Sequence, residues 1–176
     1  MSRSAAFLDR DGTLNVRAGD HEYVTAEKDF AWLPGAVDGA ARLARAGFVL
    51  AVVSNQRGIA RGLVTTDVLD AIEQRIQRDL APHGCAIQAF RYCFHDNLDA
   101  CDCRKPKPGM LIGLASVLDV DLAQSWMIGD SESDVEAGIA AGCRTARIGD
   151  RGAHSHADLV APTLGVLSGL IAETGS

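Results

Sequence analysis

The chain has 176 residues, a suitable length for one domain with a hydrophobic core. Hydrophobic residues make up 47% of it and charged residues 23%, as in ordinary globular proteins. The net charge of −6 argues against nucleic acids and anionic membranes as partners, because proteins that bind them carry basic surfaces. The apolar runs are far shorter than a membrane span, and no long apolar signal region precedes the first predicted strand. We therefore expect residues 1–176 to form a single cytoplasmic domain.

Short apolar runs alternate along the chain with segments of helical periodicity. The predicted strands are 5–8, 48–53, 86–93, 126–128 and 145–148. The predicted helices are 36–46, a helix that Thr65 or Thr66 caps and that runs to about residue 80, 109–118, 131–141 and about 162–172. Residues 12–34 show neither pattern, and we expect them to form an irregular flap. Alternating strands and helices predict an α/β fold, a doubly wound, mostly parallel, Rossmann-like sheet with helices on both faces.

Four predicted strand ends carry polar residues. Asp9 and Asp11 follow the first strand, and both carboxylates can face one site because alternate residues of a strand point the same way. The other three ends are followed by Ser54-Asn55, by the segment with Lys105, and by Asp130 and Asp134. The carboxyl ends of parallel strands meet at one edge of a sheet, where ligands bind. The sequence therefore predicts one polar site at this edge.

The two carboxylates after the first strand indicate metal-assisted phosphoryl chemistry. Asp9 and Asp11 repel each other, so they need a cation or a shared proton. Mg²⁺ takes few protein carboxylates and leaves room for a phosphate oxygen, and Asp130 can complete its site. On a phosphate monoester Asp9 can attack phosphorus, while Asp11 protonates the leaving alcohol and later activates water. An Asx turn is the simpler interpretation of D-x-D-G alone, since Asp and Gly also build ordinary turns.

The remaining strand ends supply groups that can bind a phosphoryl unit. Ser54 offers a hydroxyl, Lys105 offers a fixed positive charge, and Asp134 can hold Lys105 in place. Taken singly, these residues also fit a helix cap, a solvated surface lysine and the acidic first turn of a helix. Their occurrence in this order, at successive strand ends, favours the catalytic interpretation.

Three of the five cysteines lie close together, beside a histidine. The cluster consists of Cys93, His95, Cys101 and Cys103. Three thiolates and one imidazole form a closed tetrahedral zinc site, which would be structural and would stiffen the loop before Lys105. The alternative is a set of reduced surface cysteines beside an incidental histidine. Cys85 and Cys143 lie outside the cluster, and we expect them to be small buried residues.

Four segments resemble the motifs of the haloacid dehalogenase (HAD) superfamily phosphatases. They are FLDRDGTL at 7–14, VSNQ at 53–56, RKP at 104–106 and IGDSESD at 128–134, in the family's order and with similar spacing. The resemblance implies a nucleophile at Asp9, an acid/base at Asp11, which also offers its backbone carbonyl to magnesium, and a magnesium ligand at Asp130. It assigns phosphoryl binding to Ser54 and Lys105. It also implies a HAD-like fold, which is expected to be capless because 176 residues leave no room for a cap domain.

The predicted zinc loop narrows the resemblance to the zinc-loop members of the superfamily, which include heptose bisphosphate phosphatases and histidinol phosphatases. Segments SNQRGIARG at 54–62 and KPGM at 107–110 resemble the heptose enzymes, whereas the short spacing between His95 and Cys101 is closer to the histidinol type. Phe94 stands where Pro is usual, Ser131 replaces a frequent Lys, and the flap at 15–23 looks longer. These departures leave the exact sugar and its anomer open.

The resemblance implies removal of the 7-phosphate from a heptose 1,7-bisphosphate through an aspartyl-phosphate, in the biosynthesis of nucleotide-activated heptose. Arg104 can clamp the second phosphate, or it can be solvated or support the zinc loop. Histidinol phosphate hydrolysis and a non-catalytic, zinc-stabilised binding module are the alternatives. A small phosphorylated sugar is the expected partner, and a monomer is expected because one chain supplies the whole site. The expected substrate-binding residues are Asn15, Tyr23, Asn55, Arg57, Arg104 and Ser131.

Overall fold

The computed structural model describes residues 3–19, 22–96, 98–150 and 154–174. The strands within these ranges are β1 Ala5–Leu8, β2 Val49–Asn55, β3 Ala89–Cys93, β4 Trp126–Gly129, β5 Arg144–Ile148 and β6 Leu159–Ala161. The α-helices are α1 Ala36–Arg45, α2 Thr66–Leu80, α3 Gly109–Leu118, α4 Glu132–Ala141 and α5 Leu164–Glu173. Short 3-10 turns lie at Glu27–Asp29, Ala81–His83 and Leu122–Gln124. Among these described helices, none combines the length and apolarity that crossing a membrane requires.

The sheet has the strand order β3-β2-β1-β4-β5-β6, and all of its pairings are parallel. The chain runs from β1 outward to β3 and then returns to β4, on the other side of β1. The strand order therefore reverses between β1 and β4. This reversal opens a crevice at the carboxyl ends of the two strands, the usual ligand position in such sheets.

Helices cover both faces of the sheet, as the alternating pattern predicts. Ala6 and Leu8 of β1 belong to a buried apolar cluster with residues of α1, α2 and α5. Ala5 and Phe7 belong to a second cluster with residues of α3 and α4. All four residues are fully buried, so β1 is the central strand of the core. Its rigid position fixes the residue that follows it, Asp9.

Two strands differ from their predicted extents by two or more residues at an end, two others differ by a single residue, and one strand was not predicted. β2 extends to Asn55 because 51–55 pair along β3. The third strand begins at Ala89 instead of 86, since the Gln77 side chain binds the backbone N–H of Ile87 at 3.0 Å and its carbonyl at 2.7 Å. These contacts take the place of strand pairing. β6 is three residues long and pairs with β5, and it is too short to show a periodic pattern.

The flap lies against the sheet edge and is anchored to α2. Asn15 bridges to Trp32, and the Trp32 indole Nε1–H donates to Asp79 Oδ2 at 2.7 Å. Phe30 is buried in the core and packs edge-on against Trp32. The part of this flap at residues 20–21 lies outside the described residues. The described parts are largely irregular, as predicted, and reach the carboxyl ends of the strands.

Candidate active site

A buried lysine joins two carboxylates at the crevice between β1 and β4. Lys105 Nζ lies 2.6 Å from Asp9 Oδ1 and 2.6 Å from Asp134 Oδ1, and it donates to the Val53 carbonyl at 2.8 Å. The three side chains are at most 9% exposed. Burial alone would lower the pKa of Lys105, but Asp9 and Asp134 outweigh it and raise that pKa to about 12. The ammonium therefore stays charged and fixed beside Asp9.

Asp9 lies in a site that favours a further cation. Burial raises the pKa of its carboxyl above the ordinary value, and the Asp134 charge adds to this effect, while Lys105 opposes it. Asp9, Asp130 and Asp134 offer oxygens that lie within 4.8 Å of one another. Both oxygens of Asp134 are engaged, Oδ1 by Lys105 and Oδ2 by Ser131, whereas Lys105 holds only one oxygen of Asp9. Asp9 and Asp130 are therefore the carboxylates best placed for a divalent ion. Hard oxygen donors at this spacing suit Mg²⁺.

The Asp11 carboxylate has different surroundings. It accepts hydrogen bonds from Arg10 Nη2 at 2.9 and 3.0 Å, from Asn15 Nδ2 at 2.9 Å and from Gln56 Nε2 at 2.8 Å. Burial would raise the pKa of Asp11, but Arg10 and these donors outweigh it and hold the pKa below its ordinary value. Asp9 and Asp11 are thus neighbours with oppositely shifted pKa values, an arrangement typical of two carboxylates with different chemical roles.

Asp130 contacts the first loop and the flap. Gly12, at φ +93°, leaves room for it, since a Cβ at Gly12 would lie 2.1 Å from Asp130 Oδ2. Arg17 Nη2 reaches Asp130 from the flap, at 2.9 Å from Oδ1 and 2.8 Å from Oδ2. Burial raises the pKa of Asp130, and the Arg17 charge opposes that shift. The flap therefore places a cation against the carboxylate predicted to bind magnesium.

The end of β2 supports the lysine and contributes a buried hydroxyl. Ser54 is 2% exposed, and its Oγ accepts a hydrogen bond from Gln56 Nε2 at 2.9 Å. The Asn55 amide is fully engaged with the Lys105 backbone, donating to its carbonyl at 3.0 Å and accepting from its N–H at 3.1 Å. Asn55, predicted to bind substrate, thus holds the lysine segment in place as well as lining the cleft.

These residues surround a cleft of about 190 Å³. Arg57 and Tyr23 line one part of it and are joined by a hydrogen bond from Arg57 Nε to the Tyr23 hydroxyl at 3.1 Å. Arg104 also lines it and donates to the His95 carbonyl at 3.2 Å. Ser131 lines it as the cap of α4, with its Oγ 2.6 Å from Asp134 Oδ2.

Asn15 is the predicted substrate contact that does not line the cleft. It is fully buried, and its amide donates to Asp11 and to the Val16 carbonyl. In its observed position Asn15 supports the Asp11 carboxylate. The other predicted substrate contacts all line the cleft.

The Cys/His cluster has the dimensions of a tetrahedral metal site. Cys103 Sγ lies 3.2 Å from His95 Nδ1 and 3.1 Å from Cys93 Sγ, and Cys93 Sγ lies 3.5 Å from His95 Nδ1 and 3.8 Å from Cys101 Sγ. An ion about 2.3 Å from each sulfur would separate two thiolates by roughly 3.8 Å. All four cysteine and histidine ligand atoms lie within 4.8 Å of one another, and the cysteines are free thiols. The residues present therefore fit a structural zinc ion.

The other two cysteines are separate from this cluster. Cys85 and Cys143 are 8% and 9% exposed and contribute to the two apolar clusters. Burial raises the pKa of Cys143 to about 12. Both are the small buried residues that the sequence analysis predicts.

Comparison with known proteins identifies the family. A model of HAD-hydrolase-like proteins matches residues 102–171. D-glycero-beta-D-manno-heptose-1,7-bisphosphate 7-phosphatase of Pseudomonas aeruginosa is 42% identical over 144 residues, which cover 82% of this chain and 80% of that protein. The enzyme of the same name from Escherichia coli K12 is 39% identical over 148 residues, covering 80% of this chain and 76% of that protein. The chain belongs to the D-glycero-beta-D-manno-heptose-1,7-bisphosphate 7-phosphatase family.

A solved structure of this family has the same fold. D,D-heptose 1,7-bisphosphate phosphatase from B. bronchiseptica, complexed with magnesium and phosphate, superposes with a TM-score of 0.88 at 33% identity, covering 97% of this chain and 99% of that one. The match confirms the HAD-like fold and the resemblance inferred from the motifs. It also places this chain among HAD phosphatases, in agreement with the predicted class of enzyme.

The sequence analysis missed three residues that contact the site carboxylates. Arg10 and Gln56 hold Asp11, and Arg17 holds Asp130. Gln56 follows the polar residues at the end of β2, so its position gave some indication of a role. Arg10 lies between the two aspartates and was read only as part of the motif. Arg17 lies in the aperiodic flap, where no pattern indicated which side chain turns inward.

Gly12 gives a testable consequence of the close contact with Asp130. We expect Gly12→Ala to push Asp130 away, so that half-maximal activity needs about 10–100 times more Mg²⁺. Gly47 is the matched control, because it also has φ +93° but an added Cβ meets nothing within 4 Å. Gly47→Ala should carry similar backbone strain and leave the magnesium requirement unchanged. Equal magnesium titration curves for the two variants would contradict the proposed contact.

Proposed function

We propose that this protein is a magnesium-dependent phosphatase that removes the 7-phosphate of D-glycero-β-D-manno-heptose 1,7-bisphosphate. The observation that carries the proposal is the pair of oppositely perturbed carboxylates, Asp9 and Asp11, beside the buried Lys105. Relatives at 39–42% identity that bear the name of this activity support the choice of substrate. We choose the β-anomer as the substrate because the names of these relatives specify it. The product, a heptose 1-phosphate, can serve as a precursor in the biosynthesis of nucleotide-activated heptose.

Asp9 is the nucleophile in this proposal. Lys105 holds one of its oxygens at 2.6 Å, which leaves the second oxygen to attack phosphorus in line with the sugar O7. A bond forms between phosphorus and Asp9 while the bond from phosphorus to O7 breaks. The result is an aspartyl-phosphate and a free sugar hydroxyl. Ser54 and Lys105 donate to the phosphoryl oxygens, where negative charge is concentrated.

Asp11 transfers the protons. In the first half-reaction it donates a proton to O7, and in the second it takes one from the water that attacks the aspartyl-phosphate. Its lowered pKa keeps it ionised at neutral pH, which suits the second half-reaction. The first half-reaction needs the protonated form of Asp11 together with the ionised form of Asp9. Gln56 and Asn15 orient this carboxylate for both steps.

Asp9, Asp130 and the backbone carbonyl of Asp11 would hold the magnesium ion. When bound, Mg²⁺ neutralises charge on the carboxylates and the phosphoryl oxygens. Arg17, which pairs with Asp130, contributes positive charge from the flap at the same carboxylate. A relative's structure with magnesium and phosphate supports this assignment.

Arg57 and Arg104 bind the 1-phosphate of the substrate in this proposal. Both line the cleft, and each presents a planar guanidinium that suits a phosphate group. Tyr23 and Ser131 complete the sugar site from the flap and from the cap of α4. A substrate with a second phosphate fits these cations better than histidinol phosphate, whose far end is cationic.

Zinc at Cys93, His95, Cys101 and Cys103 would stiffen the loop that leads to Arg104 and Lys105. A closed set of four protein ligands leaves no position for substrate, so the ion would be structural. We further propose that residues 1–176 act as one domain and as a monomer, since one chain supplies every group in the mechanism. Sedimentation equilibrium of the purified protein tests the proposed monomeric state.

A substrate panel tests the proposed function. Phosphate release would be measured with magnesium from the α- and β-anomers of heptose 1,7-bisphosphate and from histidinol phosphate. We expect kcat/KM for the β-anomer to exceed that for histidinol phosphate by at least about 100-fold, because two arginines face the second phosphate. Faster release from histidinol phosphate would overturn the substrate assignment. Release from none of the three would instead favour a non-catalytic binding module.

A further inference from the structure

An ion pair joins the loop after β2 to the Cys/His loop, outside the residues assigned to the reaction. Arg61 Nε lies 2.7 Å from Asp96 Oδ2, and Arg61 Nη2 lies 3.2 Å from Asp96 Oδ1. Two near-parallel contacts of this kind fix direction as well as distance. The side chains are 41% and 30% exposed, so the pair contributes little to stability. The main effect of the ion pair is therefore to fix the relative position of the two loops.

Arg61 also connects to the cleft through the turn that it shares with Arg57. Arg57, which lines the cleft, donates from Nε to the Tyr23 hydroxyl at 3.1 Å. The Tyr23 ring packs on Gly58, where an added Cβ would lie 2.8 Å from Tyr23 Cδ1. The backbone N–H of Arg61 bonds the Arg57 carbonyl at 3.3 Å. Arg57 and Arg61 are thus positioned in one turn, which packs against Tyr23.

The other residue of the ion pair, Asp96, lies beside the residue that binds Arg104. Asp96 directly follows His95, and Arg104 Nη1 donates to the His95 carbonyl at 3.2 Å. Arg57 and Arg104 are therefore attached to the same short segment. Arg104 is attached directly, and Arg57 is attached through the turn that it shares with Arg61 and through the Arg61–Asp96 ion pair. The spacing between the two guanidinium groups depends on this connection.

We propose that Arg61 and Asp96 are positioning residues that set the distance between Arg57 and Arg104, and thereby select a substrate with a second phosphate. The inference rests on the proposed function, since it assigns the 1-phosphate to those two arginines. Neither Arg61 nor Asp96 lines the cleft or touches the catalytic carboxylates. Their loss should weaken recognition of the 1-phosphate and leave chemistry at the 7-phosphate unchanged.

The test compares two substrates that differ only in the 1-phosphate, the β-heptose 1,7-bisphosphate and D-glycero-D-manno-heptose 7-phosphate. For Arg61→Ala and Asp96→Asn we expect KM for the bisphosphate to rise about tenfold with kcat within about twofold. For the monophosphate, kcat/KM should stay within about twofold of the wild type. Arg61→Lys keeps the charge without the two-point contact, so its KM for the bisphosphate should lie between the wild-type value and that of Arg61→Ala. Zinc content and melting temperature should be unchanged in all variants.

Two further variants make the test decisive. Arg78→Ala is the matched control, because Arg78 forms a similar exposed ion pair with Glu27 away from the cleft. This variant should leave KM and kcat unchanged for both substrates. The charge-reversed double variant Arg61→Asp with Asp96→Arg should recover most of the lost affinity for the bisphosphate. Equal losses on both substrates, no loss on either, or a double variant no better than Arg61→Ala would overturn the proposal. An inactive wild type would refute the proposed function instead, so the two failures are distinguishable.

Discussion

Asp9→Asn should abolish phosphate release from the heptose bisphosphate, with a loss of at least about 10⁴-fold in kcat. Asparagine has nearly the same shape, so it fills the buried position after β1 and still accepts a hydrogen bond from Lys105. It lacks the carboxylate that forms the bond to phosphorus. The activity would be measured with saturating Mg²⁺, so that a weaker metal site does not mimic the loss of the nucleophile.

The fold of the Asp9→Asn variant should remain intact, because Asp134 still balances the Lys105 charge at 2.6 Å. Circular dichroism and the melting temperature check this. Glu136→Gln, an exposed carboxylate change on α4, serves as the control and should keep full activity. A folded Asp9→Asn protein with more than a few percent of wild-type activity would rule out Asp9 as the nucleophile.

Cys101→Ser should release the zinc ion and lower the melting temperature by about 10 °C, since loss of a structural metal costs on the order of 3 kcal/mol or more. Serine is a poor zinc ligand, and the three remaining side chains cannot close a tetrahedral site. The loop then presents Arg104 and Lys105 less rigidly, so kcat/KM should fall as well. Metal content by plasma mass spectrometry and thermal unfolding measure the two effects.

Cys143→Ala is the matched control for the zinc prediction. Cys143 is a buried free thiol outside the cluster, so its removal should leave the zinc content at one ion per chain. Its melting temperature should fall by less than that of Cys101→Ser, since alanine removes only a small buried group. If Cys101→Ser kept full zinc and an unchanged melting temperature, the ligand set would be wrong.

Much of the fold is predictable from local pattern. The run at 5–8 is apolar at every position, and a strand buried on both faces needs this pattern. The alternation of such runs with helical segments then allows few arrangements other than a doubly wound sheet. Asp9 and Asp11 could be placed together because strand periodicity relates residues two apart. The short loop similarly brought Cys93 and Cys103 together.

The features that could not be predicted depend on contacts between distant parts of the chain. Arg17 and Asp130 are 113 residues apart, and nothing near Arg17 indicates that its side chain turns towards the site. The pairing of Arg61 with Asp96 likewise requires that two loops meet in space. β6 is stabilised by its neighbour β5 more than by its own sequence. Asn15 was expected at the substrate, but burial under Asp11 makes it a support for that carboxylate.

The central claim is that the 7-phosphate leaves and the 1-phosphate stays. The most direct measurement is a ³¹P NMR time course of the β-anomer of heptose 1,7-bisphosphate with this protein and Mg²⁺. We expect the primary C7 monoester resonance to disappear, the inorganic phosphate resonance to grow at the same rate, and the anomeric C1 resonance to persist. Loss of the C1 resonance first, or an unchanged spectrum under conditions where histidinol phosphate is hydrolysed, would contradict the claim.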